Sequence, residues 1–280
     1  MMSPSTPQFQ SMTIFSLIRR WLEVPVRFRT LFWGFVSNDV RGRFAGSIGG
    51  FVWSLLTPLA NLFIYIFVFS MVLQIRLKPM ETGTDSFAIF FLAGMLPWLA
   101  FSEAVNGSAD LFLGRAHLIT KVAFPLELLP LTGLIVPFFL NGLGFVMYLG
   151  YLVFKGYAHV GWLWLPVVIG VHMAFTLGLI ILISSLTVFL RDIKQFVGIA
   201  ISLWFFLTPI VYPLSMVPEK YRWMIKLNPM YPFIELYHQV LLQGTVSWPM
   251  LGFTIGLSAI LFAAAILFFE RSKYAFADVL

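Results

Sequence analysis

Few side chains in this sequence are of the kinds that carry chemistry, and their spacing limits what they can do. Four histidines, His117, His159, His172 and His238, are scattered without metal-ligand spacing, so they read as structural or interfacial and no metal site is expected. Cysteine is absent, which excludes disulfides, thiolate metal centres and cysteine nucleophiles. No Gly-Lys dipeptide occurs, so the chain carries no phosphate-binding P-loop, and neither H-E-x-x-H nor G-x-S-x-G is present. Glu103 is the one acid well inside an apolar run. An intramembrane carboxylate is a functional candidate by default, yet Glu103 lies about five residues from the end of its run, where structural pairing or snorkelling explains it better. Arg191 and Asp192 follow Phe189-Leu190 on a short turn, and suit either a helix anchor or a gate.

The elements that hold these residues are apolar spans. Phe51 to Phe69 contains no charge, and at least five comparable runs follow in a chain of 280 residues. A helix needs about 20 apolar residues to cross the hydrocarbon layer, where the backbone must satisfy its own hydrogen bonds. Hydrophobic residues make up 60% and charged residues 11% of the chain, against about 25% charge in a soluble domain, which leaves no room for a sizeable soluble unit. Six spans are predicted, at Phe51 to Leu73, Phe87 to Ser108, Leu128 to Phe154, Trp162 to Leu190, Phe196 to Val211 and Ser247 to Phe269. Gly252 and Gly256 form a lone G-x-x-x-G in the last, weak evidence for a dimer. Phe contributes 31 residues, an abundance normal in membranes that does not by itself define a pathway.

Before the first span, Ile14, Leu17, Ile18, Trp21 and Leu22 recur with helical spacing, and Phe28, Leu31, Phe32, Phe35 and Val36 repeat the set. Arg19, Arg20, Glu23, Arg27 and Arg29 lie between them, which predicts an amphipathic helix in the membrane interface with its basic face toward anionic headgroups and a kink at Pro25. The first 13 residues lack the order of a secretory signal, so the N-terminus is expected to be retained. The net charge of +6 sits beside the spans, and so reads as a topology signal with no nucleic-acid partner. With both termini cytoplasmic, that side collects 12 of the 18 Lys and Arg residues, as the positive-inside rule requires.

On the opposite side, Glu219 to Leu227 and Phe233 to Gln243 both look helical and are too short to cross. The second has Pro232 in its first turn, stops at Gly244, and carries Phe233, Leu236, Tyr237, Val240 and Leu241 on one stripe. Two half-helices broken by Asn228-Pro229 read as a re-entrant or interfacial hairpin over residues 213–244, with an ordinary surface loop as the alternative. The expected class is therefore all-α integral membrane. It divides into a cytoplasmic N-terminus (1–50), a six-span domain (51–270) containing a cytoplasmic loop (109–127), and a cytoplasmic tail (271–280).

Several motifs in order carry a family resemblance: V-R-G-R-F-A-G-S-I-G-G-F-V-W-S-L-L-T-P (Val40 to Pro58), G-M-L-P-W (Gly94 to Trp98), K-V-A-F-P-L-E-L-L-P (Lys121 to Pro130), F-L-R-D-I (Phe189 to Ile193), T-P-I-V-Y (Thr208 to Tyr212) and L-N-P (Leu227 to Pro229). The set resembles the membrane subunit of ABC-type polysaccharide exporters, which move O-antigen, capsule or teichoic acid chains. His238 departs from it, standing where many relatives have arginine. The resemblance implies a homodimer in the bacterial plasma membrane and two copies of a separate cytoplasmic P-loop ATPase. ATP and Mg²⁺ would then bind the partner, this chain would bind no cofactor and catalyse nothing, and the substrate would be a lipid-linked glycan among membrane lipids. It also implies that Asp110 to Phe124 is the coupling helix, with Leu113, Arg115, His117, Leu118 and Lys121 as ATPase contacts, and that Arg191, Asp192 and Glu103 form an inner gate or helix anchor. Aromatic faces can slide along sugar C–H groups, and Tyr65, Trp98, Trp204 and Tyr212 are the candidate channel lining.

Other classes fit less well. A multispan transferase needs clustered His, Asp or Glu at the interface, and none is present. A passive channel or ion-coupled carrier needs mid-membrane charges or broken helices in a repeat, for which Glu103 is thin support. An exporter of a small lipophilic molecule or drug remains the alternative, because fold does not fix substrate.

Overall fold

The computed structural model describes residues 14–46, 49–74, 76–121 and 124–280. The first 13 residues, and with them the retained terminus, lie outside the described residues. The elements run α1 (Ile14–Arg27), α2 (Arg29–Phe44), α3 (Trp53–Ile66) continued by a π-helical segment (Phe67–Val72), α4 (Pro79–Thr82), α5 (Phe87–Ser108), α6 (Ala116–Lys121), α7 (Leu128–Phe154), α8 (Leu165–Phe189), α9 (Ile193–Leu207), α10 (Arg222–Leu227), α11 (Tyr231–His238), α12 (Trp248–Ser272) and α13 (Phe276–Val279). Among the described residues no strand forms, and the only β pairing is an isolated bridge between Arg76 and Ser86.

Four helices among the described residues are long and apolar enough to cross a membrane: α5, α7, α8 with the turn that precedes it, and α12. Prolines sit in the first turn of α8, α11 and α12, where a missing N–H costs nothing and the fixed φ favours the helix. The first and fifth predicted spans are helical but are not among these four long apolar helices. The first is 14 residues of α-helix followed by a six-residue π segment, and the fifth, α9, has 15 residues and ends at Leu207 rather than Val211. Thr208-Pro209 ends α9, because the residue before proline is pushed out of the helical region; Thr208 is extended at φ −99°, ψ 133°.

The N-terminal amphipathic segment is helical but divides at Phe28 (φ −109°, ψ 37°), three residues beyond Pro25. Leu17, Trp21 and Val24 on α1 and Phe32 and Val36 on α2 are buried. Their partners are protein: Trp21 meets Phe269 of α12 edge-on at 5.2 Å, while Phe32 and Val36 pack with Leu128 and Val136 of α7. The break lets one stripe serve two neighbouring helices. Leu22, Val26 and Trp33 remain exposed on the other side.

α5 is the centre of the bundle, with 72% of its apolar window buried against 28% for α12. One end of the bundle, the basic end, gathers α1, α2, α6, the start of α9 and α13. The other, the hairpin end, gathers α4, α10 and α11. At the basic end, Glu127 is 2% exposed and accepts from Arg20 at 2.8 Å and Lys273 at 3.4 Å, while Lys273 also meets Glu270 at 2.6 Å. This ionic staple joins α1, the start of α7 and the end of α12. Removing Glu127 leaves Arg20 and Lys273 with Glu270 as their shared carboxylate, so Glu127→Ala should lower stability by on the order of 2 kcal/mol. Thermal unfolding in a fixed detergent should show a clear drop in Tm with E127A and a smaller one with E127Q, and an unchanged Tm would mean the staple adds nothing.

Candidate functional site

The basic end presents the loop between α5 and α7. It folds as a 3-10 turn (Leu113–Arg115) leading into α6, and its base is fixed by Leu111 and Phe112, which are buried against Phe269 and Phe276. Of the five residues expected there, His117 and Lys121 are exposed, and Leu113 and Leu118 are half-buried. Arg115 is turned inward. Its guanidinium donates to both oxygens of Asp39 on α2, at 2.7 and 2.6 Å, with both side chains about three-quarters buried. Lys194, at the start of α9, meets Asp110 at 2.6 Å. The loop is thus tied on one side to α2 and on the other to α9.

Glu103 is paired. It accepts from Arg43 at the end of α2 and from Asn141 of α7 at 2.6 Å, so one carboxylate joins α2, α5 and α7. Arg191 and Asp192 are exposed on the turn between α8 and α9 and make no side-chain hydrogen bond or ion pair among the described residues; Lys194 makes the link to the loop instead. Asp39, Asn141, Lys194 and Glu127 were not singled out by sequence reading. Nothing in their local spacing points to partners 38 to 146 residues away.

At the hairpin end, α10 and α11 flank Asn228-Pro229, and α11 continues as a π-helical segment to Gln243. The stripe of Phe233, Leu236, Tyr237, Val240 and Leu241 is buried throughout, which is not the behaviour of an ordinary surface loop. Gly244 ends the segment at φ 71°, a left-handed position that favours glycine, and a Cβ on Gly161 would lie 2.8 Å from the Gly244 backbone, so the two segments meet where Gly161 has no room for a side chain. Asn228 is 8% exposed and fully used. Its Nδ2 donates to the Leu207 carbonyl (3.0 Å) and Thr208 Oγ1 (2.8 Å), and its Oδ1 accepts from Trp204 Nε1 (2.5 Å) and the Met230 amide (2.9 Å). Two donors and two acceptors exhaust an amide side chain. His238, the departure from the family motif, stacks on Phe90 at 4.0 Å and donates from Nε2 to the Phe90 carbonyl at 3.1 Å.

The expected lining aromatics fall into separate places. Trp98 is buried and meets Trp204 edge-on at 6.4 Å, both packing on Phe101. Tyr65 on α3 lies edge-on to Phe91 at 5.1 Å. Tyr212 lies beyond α9 and donates its hydroxyl to the Phe206 carbonyl at 2.8 Å. Neither tyrosine makes a ring contact with the tryptophan pair among the described residues. No group of three His, Asp or Glu side chains placed to hold a metal occurs among the described residues.

An all-helical bundle with long apolar helices, an exposed loop helix braced at one end and buried short helices at the other has the architecture of an integral membrane protein. Residues 27–242 match the ABC-2 type transporter family, and the chain belongs to it. It is 31% identical over 261 residues to the O-antigen export system permease protein RfbA of Myxococcus xanthus, covering 90% of this chain and 96% of the relative. It is 28% identical over 250 residues to the protein of the same name from Klebsiella pneumoniae, covering 87% and 92%. The polysialic acid transport protein KpsM of Escherichia coli is 22% identical over 217 residues, covering 75% and 80%.

The Asn228 arrangement makes a local prediction. Asn228→Ala leaves the Trp204 indole and the Leu207 carbonyl without this partner, at about 1–3 kcal/mol for each buried group left unmade. Amide hydrogen exchange in residues 205–212 and 230–238 should quicken at least tenfold, with little change in residues 128–154. Uniform acceleration over the whole chain would mean that Asn228 supports global folding and does not hold the hairpin locally.

Proposed function

We propose that this chain is the permease subunit of an exporter that carries a lipid-linked, O-antigen-like polysaccharide across the bacterial plasma membrane, driven by a separate ATPase. The observation that carries this reading is similarity, at 28–31% identity along nearly the whole of both chains, to permeases named for O-antigen export. A long polar glycan cannot enter hydrocarbon unaided, so it needs a path between helices that water can also enter.

In this reading α3 with its π segment and α9 are the first and fifth of six spans, and residues 213–244 form a re-entrant hairpin. Short spans need cover where their ends fall inside the hydrocarbon. A second copy of the chain supplies it, and the exposed apolar faces of α3 and α9, including Phe63, Phe67, Phe196 and Phe206, suit that contact. Tyr65, Trp204 and Tyr212 flank the resulting path, and Trp98, buried against Trp204, supports it from inside the bundle. Residues 1–50 and 271–280 lie in the cytoplasm around the six-span domain, and the 109–127 loop faces two copies of the ATPase, which binds ATP and Mg²⁺ itself. Exposed His117 and Lys121, with Leu113 and Leu118, make the contact, while Arg115 braces the loop against α2 through Asp39. Motion of the ATPase then reaches α2 through Arg115, α9 through Lys194, and α5 and α7 through Arg43 and Glu103. Arg191 and Asp192 stand at the turn that this motion would shift.

Purification from native membranes in mild detergent tests the assembly. A P-loop ATPase should come with the chain in a particle holding two copies of each, and a chain that purifies alone in several detergents would refute the reading. Within that particle, Arg115→Asp should reduce surface polysaccharide at least tenfold, and the double reversal Asp39→Arg with Arg115→Asp should recover much of it. His117→Ala with Lys121→Ala should instead loosen the ATPase. If the double reversal recovers nothing while protein levels are normal, Arg115 acts through the ATPase and not through Asp39.

A further inference from the structure

Between the hairpin and the loop that precedes α5 lies a polar cavity of about 90 Å³, lined among others by Glu81, Leu214, Ser215, Tyr231, Glu235 and His238. A buried water occupies about 10–15 Å³ by the same measure, so the space holds several waters or the hydroxyl edge of one sugar ring. Its walls come from four parts of the chain: α4, the start of α5, the segment after α9 and α11. All of them meet at the hairpin end.

The polar groups around this space are mainly acceptors. His238 is 1% exposed, and because a carbonyl can only accept, its Nε2 carries the proton given to Phe90. The neutral ring then has a lone pair on Nδ1, which has no protein partner and is buried behind the cavity wall, so His238 shapes the space and does not bind in it. Glu235 is largely buried one turn earlier on α11, and its carboxylate receives only a long bond of 3.4 Å from Gln239. Glu81 lies across the cavity with Lys78 at 3.6 Å, and a hydrogen bond from the Ser215 hydroxyl, ahead of the charge of Lys78, holds its carboxyl below the usual carboxylate range. Tyr231 adds an aromatic face of the kind that packs on sugar C–H groups. A cation is the weaker fit, since no three His, Asp or Glu side chains converge here or elsewhere among the described residues.

We propose that this cavity is a carbohydrate subsite at the exit, where hydroxyls of one sugar unit of the exported chain donate to Glu235 while the ring lies against Tyr231. The inference rests on the polysaccharide-export reading and adds to it a site on the far side of the channel from the ATPase. A site built from acceptors and one aromatic face binds each unit weakly, so it can hold the emerging chain without stopping its advance.

The test uses the intact permease with its ATPase, in cells that make the surface polysaccharide. A photoreactive phenylalanine derivative replaces Leu214, which lines the cavity, or Ile260, an exposed residue of α12, as the control. The probe is the cell's own surface polysaccharide, detected by carbohydrate staining of the cross-linked permease. Cross-linking should appear from position 214 and not from 260, and Glu235→Ala should reduce it at least fivefold relative to the amount of permease in the membrane. Normal surface polysaccharide with no cross-link from 214, or a cross-link indifferent to Glu235→Ala and to Tyr231→Ala, overturns the subsite and leaves the exporter intact. Absence of surface polysaccharide dependent on the unmodified chain removes the export reading and the subsite together, and the two failures are told apart by that single control.

Discussion

Carbonyls at the end of a short apolar helix must find donors, and where α9 stops at Leu207 the donor is the side chain of Asn228. The rest of the hairpin end follows from that bond. Because the same amide also takes the Trp204 indole and the Met230 amide, the end of α9 and the start of α11 are held in one register. α11 can then lay its stripe against α5, α8 and α12. His172 of α8 reinforces this seat through the Tyr237 hydroxyl at 3.3 Å. A backbone requirement, and not a favourable pair of side chains, sets the position of the hairpin.

The basic end uses a different currency. Its links are ionic and long-range, and each joins elements far apart in sequence: Arg115 to Asp39, Lys194 to Asp110, Arg43 to Glu103. Such pairs are worth little when exposed, since water and salt screen them. Their value here is geometric. They tie the segments that lead into the loop helix α6 to α2 on one side and to α9 on the other.

Much of the helical content was legible in the sequence. Uncharged runs located α5, α7, α8 and α12 to within a few residues, because a membrane solvent leaves one backbone solution and a strong compositional trace. α11 and its π-helical continuation were legible from Pro232, Gly244 and the apolar spacing between them. The short length of α9 was less visible, since Thr208 to Val211 is as apolar as what precedes it and only Pro209 marks the stop. The amphipathic stripe of α1 and α2 was legible as a stripe but not as to what it faces, because protein and lipid present the same apolar surface to Trp21 and Phe32. Least legible were the ion pairs. Arg115 reads as an outward basic residue on a loop, and only the fold brings Asp39 within reach.

The ionic staple also constrains how the chain is made. Glu127 is fixed early, at the start of α7, but Lys273 lies after the last long helix, so for most of synthesis Glu127 has only Arg20 of α1 to neutralise it. The second cation arrives when α12 is in place, and Phe276 then closes over Phe112 and Phe269. A chain truncated before its last long helix keeps Glu127 paired with Arg20 alone and leaves Phe112 without Phe269 and Phe276. The staple is therefore complete only when the last long helix is in place.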